Sequence, residues 1–329
     1  MNKVLSDLLT DLQLADPQQY QHIVVFPLRS AINHSPDYWT LPEALEQRLL
    51  EVKEIGQQGS VPELKVANRA EKPVLLLDGE ELSGAKQNRV LNTSILAPPK
   101  QELIIPVSCT EQGRWNYVSS EFAESGNVMP NSLRARKSRS VSESLEHVQG
   151  FQSDQGEVWA GVDMLAVALE APSATGAMKD VYEARRADLD TALRAFPLLP
   201  EQKGLLVLIN GVSVGFDFVS LAPAFARLHS KLVKSYVMDA LTRKPKKAKS
   251  PAVAREQAQA FMAEAVASGE KQFKSIGLGD DYRCKGKGLV GSALIDQEKV
   301  IHTAFFRVDD GEETGNMSAM NRRRSYRVS

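Results

Sequence analysis

The segment LLVLIN-GVSVGFDF, residues 205–218, constrains the fold of this chain more than any other. Two apolar runs rich in β-branched and aromatic residues meet at Asn210 and Gly211, both of which tolerate the positive φ of a two-residue hairpin turn. A buried antiparallel pair is therefore expected here. Ser220 is placed to cap a following helix, in which Phe225, Leu228, Leu232 and Tyr236 recur at three- and four-residue spacing. That spacing lays one apolar stripe against the hairpin.

Further short runs of branched and aliphatic residues predict strands at 22–28, 61–68, 72–77, 89–97 and 102–108. Turn formers Gly79, Gly84, Pro98 and Pro99 separate the last three. A C-terminal hairpin, 288–295 with 299–307, turns at Asp296 to Glu298. Helical patterns occupy the N-terminus, 41–54 (Pro42 near its start, then Leu45, Leu49, Leu50 and Val52), 132–148, 157–170, 178–195 (closed by Pro197) and 252–267. Strands at both ends with helices between them predict an α+β fold: a mixed, largely antiparallel sheet with helices inserted between N-terminal and C-terminal strands. One domain is expected over 1–307. The tail 308–329, with Asp309, Asp310, Glu312, Glu313 and Arg322 to Arg324 but no core-forming period, is expected to be disordered. The connector 243–251 carries five positive charges and no large apolar residue, and is expected to be solvated and mobile.

A formal net charge of -1 gives no global attraction to nucleic acid or anionic lipid. No run approaches the roughly 18 apolar residues of a membrane span, and Asp7 and Asp11 interrupt the N-terminal apolar residues. A cytoplasmic protein, neither secreted nor membrane-embedded, is expected. Two cysteines, Cys109 and Cys284, are too few for a disulfide scaffold and point to a reducing compartment.

Polar residues concentrate in 78–115 at the ends of predicted strands, where sites are commonly built. One cluster holds Asp78, Glu80, Glu81, Lys86, Gln87, Asn88 and Arg89; the other holds Ser108, Cys109, Glu111, Arg114 and Trp115. If 89–97 and 102–108 pair as a hairpin through Pro98 and Pro99, Arg89 comes to lie beside Cys109, because antiparallel neighbours match first to last. Both clusters then share one rim. GEELSGAK is not a phosphate-binding P-loop: Ala85 interrupts the motif, Gln87 replaces the required hydroxyl, and Glu80 and Glu81 would set negative charge in the cradle.

GEELSGAKQNR followed by PVSCTEQGRW resembles the ARG- and rhodanese-phosphatase-superfamily-associated protein domain family, and the resemblance extends to the Asn210-Gly211 hairpin and to the VIHTAFF strand. The resemblance, through the family's name, suggests genomic company with ADP-ribosylglycohydrolase-type and phosphatase-type proteins, and by that association implies nucleotide or ADP-ribose-related chemistry. Ala85 is a departure, since the resemblance leads one to expect a second glycine after Gly84.

Glu80 and Glu111 are candidate general acid and base, or ligands of a divalent metal; the structural alternative is an ion pair with Arg89 or Arg114. Arg89 and Arg114 offer planar forks for phosphate or carboxylate, with Lys86, Gln87 and Asn88 beside them and Trp115 offering a ring face. Against this, Arg114 could pair with a local acid while Trp115 fills the core. Cys109 is a candidate nucleophile with His302 as partner, set against a buried unreactive thiol. Arg134, Arg136, Lys137 and Arg139 form a basic patch that either gathers an anionic ligand or is a solvated helical face; Asp217 either orients a site residue or ends its strand. Three functions follow: an enzyme acting on a phosphorylated small molecule or nucleotide or ADP-ribose-related ligand, a non-catalytic sensor or protein-interaction scaffold, or a purely structural cluster.

Overall fold

The computed structural model describes residues 1–32, 36–56, 60–246 and 250–308. The tail 309–329, the middle of the 243–251 connector, 33–35 and 57–59 lie outside those residues.

The Asn210-Gly211 turn forms as expected. Gly204–Ile209 and Val212–Val219 pair antiparallel, and both turn residues hold positive φ, 53° and 75°. This hairpin lies within a nine-stranded antiparallel sheet, between Ile23–Arg29 on one side and Lys299–Arg307 on the other. Leu289–Asp296, Asp280–Gly286 and Gly269–Lys274 continue the sheet beyond the C-terminal hairpin.

Side-chain alternation divides the sheet's two faces. Leu205, Val207 and Ile209 enter one buried cluster with Phe225, Leu228, Leu232 and Tyr236 of the helix Ala222–Leu241. Leu206, Leu208, Phe216 and Phe218 enter another with Leu5, Leu8 and Leu9 of the N-terminal helix and Ala258 and Phe261 of Pro251–Val266. Helices therefore cover the antiparallel sheet from both sides.

A second sheet of six antiparallel strands runs in the order Phe122–Val128, Glu80–Gly84, Arg89–Leu91, Gln101–Cys109, Glu63–Asn68, Leu50–Glu54. A third joins Ile95–Ala97 and Trp39–Thr40 to opposite edges of Val74–Leu76, the Trp39 strand running parallel to it. These two sheets share a core of Val52, Leu64, Val66, Leu76, Leu91, Ile95 and Ile105. The fold is thus α+β and largely antiparallel, with helices between its N-terminal and C-terminal strands.

Several local expectations are corrected. The helix predicted at 41–54 ends at Glu46, and Leu50–Glu54 is a strand whose Leu50, Val52 and Glu54 point inward alternately; the turn between them is made by Arg48 at φ 57°. The four-residue step from Leu45 to Leu49 and the three-residue step from Leu49 to Val52 had imitated a helix. The helix at 178–195 is two, Met178–Ala184 and Arg186–Ala195. Ser220 does not cap the helix after the hairpin: Leu221 occupies that position without a side-chain bond, and the Ser220 hydroxyl meets Tyr38. The strand expected over 89–97 divides into Arg89–Leu91 and Ile95–Ala97, which belong to different sheets. Its connecting residues are pinned to three distant places: Asn92 donates to Phe151 O, Thr93 to Asp281, and Ser94 meets His302. Among the described residues, no helix is long and apolar enough to cross a membrane.

Candidate functional site

The two polar clusters meet. Arg89–Leu91 pairs with the end of Gln101–Cys109 so that Arg89 faces Cys109 and Leu91 faces Val107. On its other side, Arg89–Leu91 pairs with Glu80–Gly84, so one corner of the six-stranded sheet holds 84–89 and 109–115.

The turn at this corner is tight. Gly84 has φ +123°, and a Cβ there would lie 2.6 Å from Ser119 Oγ and 2.9 Å from Glu121 O. Ala85, where a second glycine was expected, holds φ 42°, in the left-handed region that glycine enters most easily. The Arg114 guanidinium clamps the turn, donating to Ala85 O at 2.8 Å, Asn116 O at 3.0 Å and Asn88 Oδ1 at 3.2 Å. It also donates twice to Glu111, at 2.8 and 2.6 Å. Glu111 further accepts from the Asn88 N–H at 3.1 Å and the Thr175 hydroxyl at 2.8 Å. Burial alone would raise the Glu111 carboxyl, but the bonds from Arg114, Thr175 and Asn88 hold it below its ordinary value. Glu111 and Arg114 thus have their bonding capacity committed to holding the loop, as in the ion-pair alternative.

Arg89 is different. Its side chain has no exposure, yet only Nη1 is well bonded, to Gln87 O and Gln87 Oε1 at 3.2 Å each. Among the described residues, Nε and Nη2 have no hydrogen-bond partner. Glu54 Oε1 stands 3.5 Å from Nη2, and Glu54 Oε2 is likewise without a bond. Above Arg89 lies the Trp115 ring, 5.7 Å from Cζ; Lys86 Nζ sits 5.1 Å from the same ring and 5.0 Å from that of Tyr117. Trp115 is 43 % exposed and Tyr117 50 %, so Trp115 roofs the corner and does not fill the core.

Of the remaining candidates, Cys109 lies in the corner, and Glu80, His302 and the basic patch lie elsewhere. Glu80 is buried, and its oxygens take the Leu77 N–H at 2.7 Å and Lys231 Nζ at 2.5 Å; Lys231 also pairs with Glu124. Burial raises the Glu80 carboxyl more than Lys231 lowers it. Cys109 is buried, its thiol facing Gln87 Oε1 at 3.1 Å and Glu111 O at 3.2 Å, and burial pushes that thiol up. His302 does not serve Cys109: Nδ1 meets Ser94 Oγ at 2.9 Å, and Nε2 faces Asp217 at 3.5 Å.

The basic patch at 134–139 is not a solvated face at Arg134 and Lys137. Both are buried on the helix Asn131–Glu146. Arg134 forks onto Asp217 at 3.0 and 2.7 Å and lies 3.4 Å from Asp78, to which Lys137 is also ion-paired. Tyr236 donates to Asp217 at 2.7 Å. Asp217 therefore neither ends its strand nor faces the corner; it anchors a buried charge network. Arg136 is half-buried, and Arg139 stands 3.9 Å from Glu157.

Sequence reasoning missed Glu54, Tyr117, Thr175 and Lys231. Glu54 had a signal: in LEVKE it falls in phase with inward Leu50 and Val52, and a carboxylate at an inward position needs a partner. Tyr117 stands two residues beyond Trp115, while Thr175 and Lys231 come from distant segments and left none. Among the described residues, no group of three or more His, Cys, Asp or Glu side chains is placed to hold a metal. A cavity of about 970 Å³ lies between the helix Asn131–Glu146 and the C-terminal strands. One of its lining residues, Ser153, bonds to Ser108 on the corner's strand. Its lining mixes signs, and Lys271 and Arg139 already face Glu146 and Glu157. Volume and chemistry disagree, and the unbonded donors of Arg89 are the more specific indication of a ligand.

A family model described as the ARG and Rhodanese-Phosphatase-superfamily-associated Protein domain matches residues 11–306. No curated protein and no solved structure matches the chain.

Proposed function

We propose a function from the premise that the chain belongs to the ARG and Rhodanese-Phosphatase-superfamily-associated Protein domain family: the corner at Arg89 receives the anionic group of a phosphorylated small molecule of the nucleotide or ADP-ribose kind, and the chain is an enzyme acting on it. The observation that carries this is the Arg89 guanidinium, buried with Nε and Nη2 unbonded. Those two nitrogens form one edge of the fork, the geometry that takes two oxygens of a phosphate or carboxylate together. Lys86 adds a second cation beside it, and the half-exposed rings of Trp115 and Tyr117 offer a surface for a base or sugar. Gln87 and Asn88 act here as positioning residues, since Gln87 orients Arg89 and Asn88 engages both Glu111 and Arg114. The family's description associates it with a phosphatase superfamily, which suits phosphate-bearing ligands.

A second reading, a sensor that binds without converting its ligand, is favoured by the state of the carboxylates. Glu80 and Glu111 are both engaged by cations and hydrogen bonds. Neither has an oxygen left for proton transfer without rearrangement.

A thermal-shift screen against nucleotides, NAD, ADP-ribose and sugar phosphates, each with and without magnesium or manganese, tests the site. At about 100 times its Kd a ligand stabilises the native state by roughly 2.7 kcal/mol, a rise of a few degrees in Tm. The expected result is a shift that Arg89→Ala abolishes. Chromatography of the same mixtures then separates enzyme from sensor: new products support turnover, and saturable binding without them supports the sensor. A screen with no shift overturns both.

A further inference from the structure

Arg89 is not alone in being left unbonded. Glu54 sits beside it with its side chain 3 % exposed and Oε2 unpaired, on the inward face of the edge strand Leu50–Glu54. Its Oε1 is 3.5 Å from Arg89 Nη2 and receives a long 3.4 Å bond from the Lys86 N–H. Two opposite charges are thus adjacent in a buried corner without closing the short bidentate bond that such pairs ordinarily make. Left as they are, two donors on Arg89 and one acceptor on Glu54 are buried without partners, which is destabilising unless something completes them.

The geometry points to a two-part recognition element: Arg89 takes the oxygens of a phosphate ester while Glu54 accepts the hydrogen of a free hydroxyl on the neighbouring carbon. The ligand class is therefore a vicinal hydroxy-phosphate, as in a sugar ring phosphorylated next to a free hydroxyl. This rests on the anion site proposed above. Chemistry sets the pairing. A bare phosphate dianion would satisfy Arg89 but set its charge against Glu54, and a carboxylate accepts bonds but has none to donate. A hydroxyl brings the missing hydrogen without adding charge. The 3.5 Å between Arg89 Nη2 and Glu54 Oε1 places the two ligand groups a few ångströms apart, the spacing of substituents on adjacent carbons. Trp115 lies against Arg89, with Lys86 and Tyr117 next to it, so the rest of such a molecule would meet these side chains.

Isothermal titration of the full chain with adenosine 3′-monophosphate and with 2′-deoxyadenosine 3′-monophosphate separates the possibilities. The expected result is binding of both, with the hydroxylated compound about tenfold tighter, the size of one hydrogen bond to a charged group. In Glu54→Gln the preference is expected to fall to about threefold or less, because the bond to a charge is replaced by one to an amide. The same variant should bind the deoxy compound more tightly than the native chain does, since the repelling carboxylate is gone. That gain reports the charge alone; the fall in preference between the two nucleotides reports the hydroxyl contact, and a merely structural Glu54 would leave that preference unchanged. Equal affinity of the native chain for the two nucleotides overturns the hydroxyl inference and leaves the anion site standing. Binding of neither overturns the anion site and the inference together. The native comparison decides without the variant, should Glu54→Gln fail to fold.

Discussion

Arg134→Met is expected to lower the unfolding free energy by about 3–5 kcal/mol, the range for breaking a buried ion pair by removing one partner, as read from urea denaturation. Arg134 has no exposed side-chain surface, forks onto Asp217, lies 3.4 Å from Asp78 and stacks over Phe306 at 4.7 Å. Methionine fills much of the volume but leaves the Asp217 carboxylate with Tyr236 and His302 alone. Burial by itself would raise that carboxyl; Arg134 and His302 outweigh it and hold Asp217 below its ordinary range. A depressed carboxyl contributes stability above its unfolded pKa of about 4 that is lost as pH falls through the folded value. In the variant that contribution is gone, so the deficit should narrow as pH drops below about 4. Adding Asp217→Asn should cost less than the sum of the single changes, since it removes the stranded charge. A loss below about 1 kcal/mol would refute a dominant role for this pair. A folded Arg134→Met that no longer shifts with ligand would instead move Arg134 into the binding site.

The second large effect is a pH dependence at Glu81. Its carboxyl is buried, with Thr110 Oγ1 2.9 Å from Oε1 and Asn127 Nδ2 3.4 Å from Oε2. Burial raises it more than Ser125, Thr110 and Asn127 lower it, to about 7. Between about pH 4.5 and 7 the native state therefore holds a proton that the unfolded chain has released, and stability from this group falls as pH rises. At about 1.36 kcal/mol per pKa unit the fall is about 3 kcal/mol in total. Urea unfolding of the native chain and of Glu81→Gln across pH 4.5 to 8 reads it directly. Their difference should change by that amount and level off above about pH 7. Parallel profiles would show that Glu81 ionises in the fold as it does in the unfolded chain.

What the sequence disclosed followed from local periodicity. Asn210 and Gly211 announced their turn because few residues accept positive φ twice in succession. The unbroken apolar run Leu205 to Ile209 announced a buried strand, which the fold buries on both faces. Antiparallel pairing alone was enough to place Arg89 beside Cys109. The buried charges were not legible. Lys137, Arg134 and Lys231 resemble solvated helix residues until Asp78, Asp217 and Glu80 are brought to them from other elements. The same long-range pairing withdrew Glu80 from the corner and left Glu54, hidden in a stretch that reads as helix, beside Arg89.

The three residues between Arg89–Leu91 and Ile95–Ala97 bear on how the molecule is made. Asn92, Thr93 and Ser94 are held by Phe151, Asp281 and His302 respectively, so the segment obtains its anchors from progressively later parts of the chain. Contacts so distant in sequence form slowly, because a long loop must close before they bring any stabilisation. During synthesis, which proceeds from the N-terminus, the corner at Arg89 emerges early but waits for His302 to leave the ribosome before its last support arrives. A nascent chain stalled short of that strand would carry every residue of the corner and still lack a finished one.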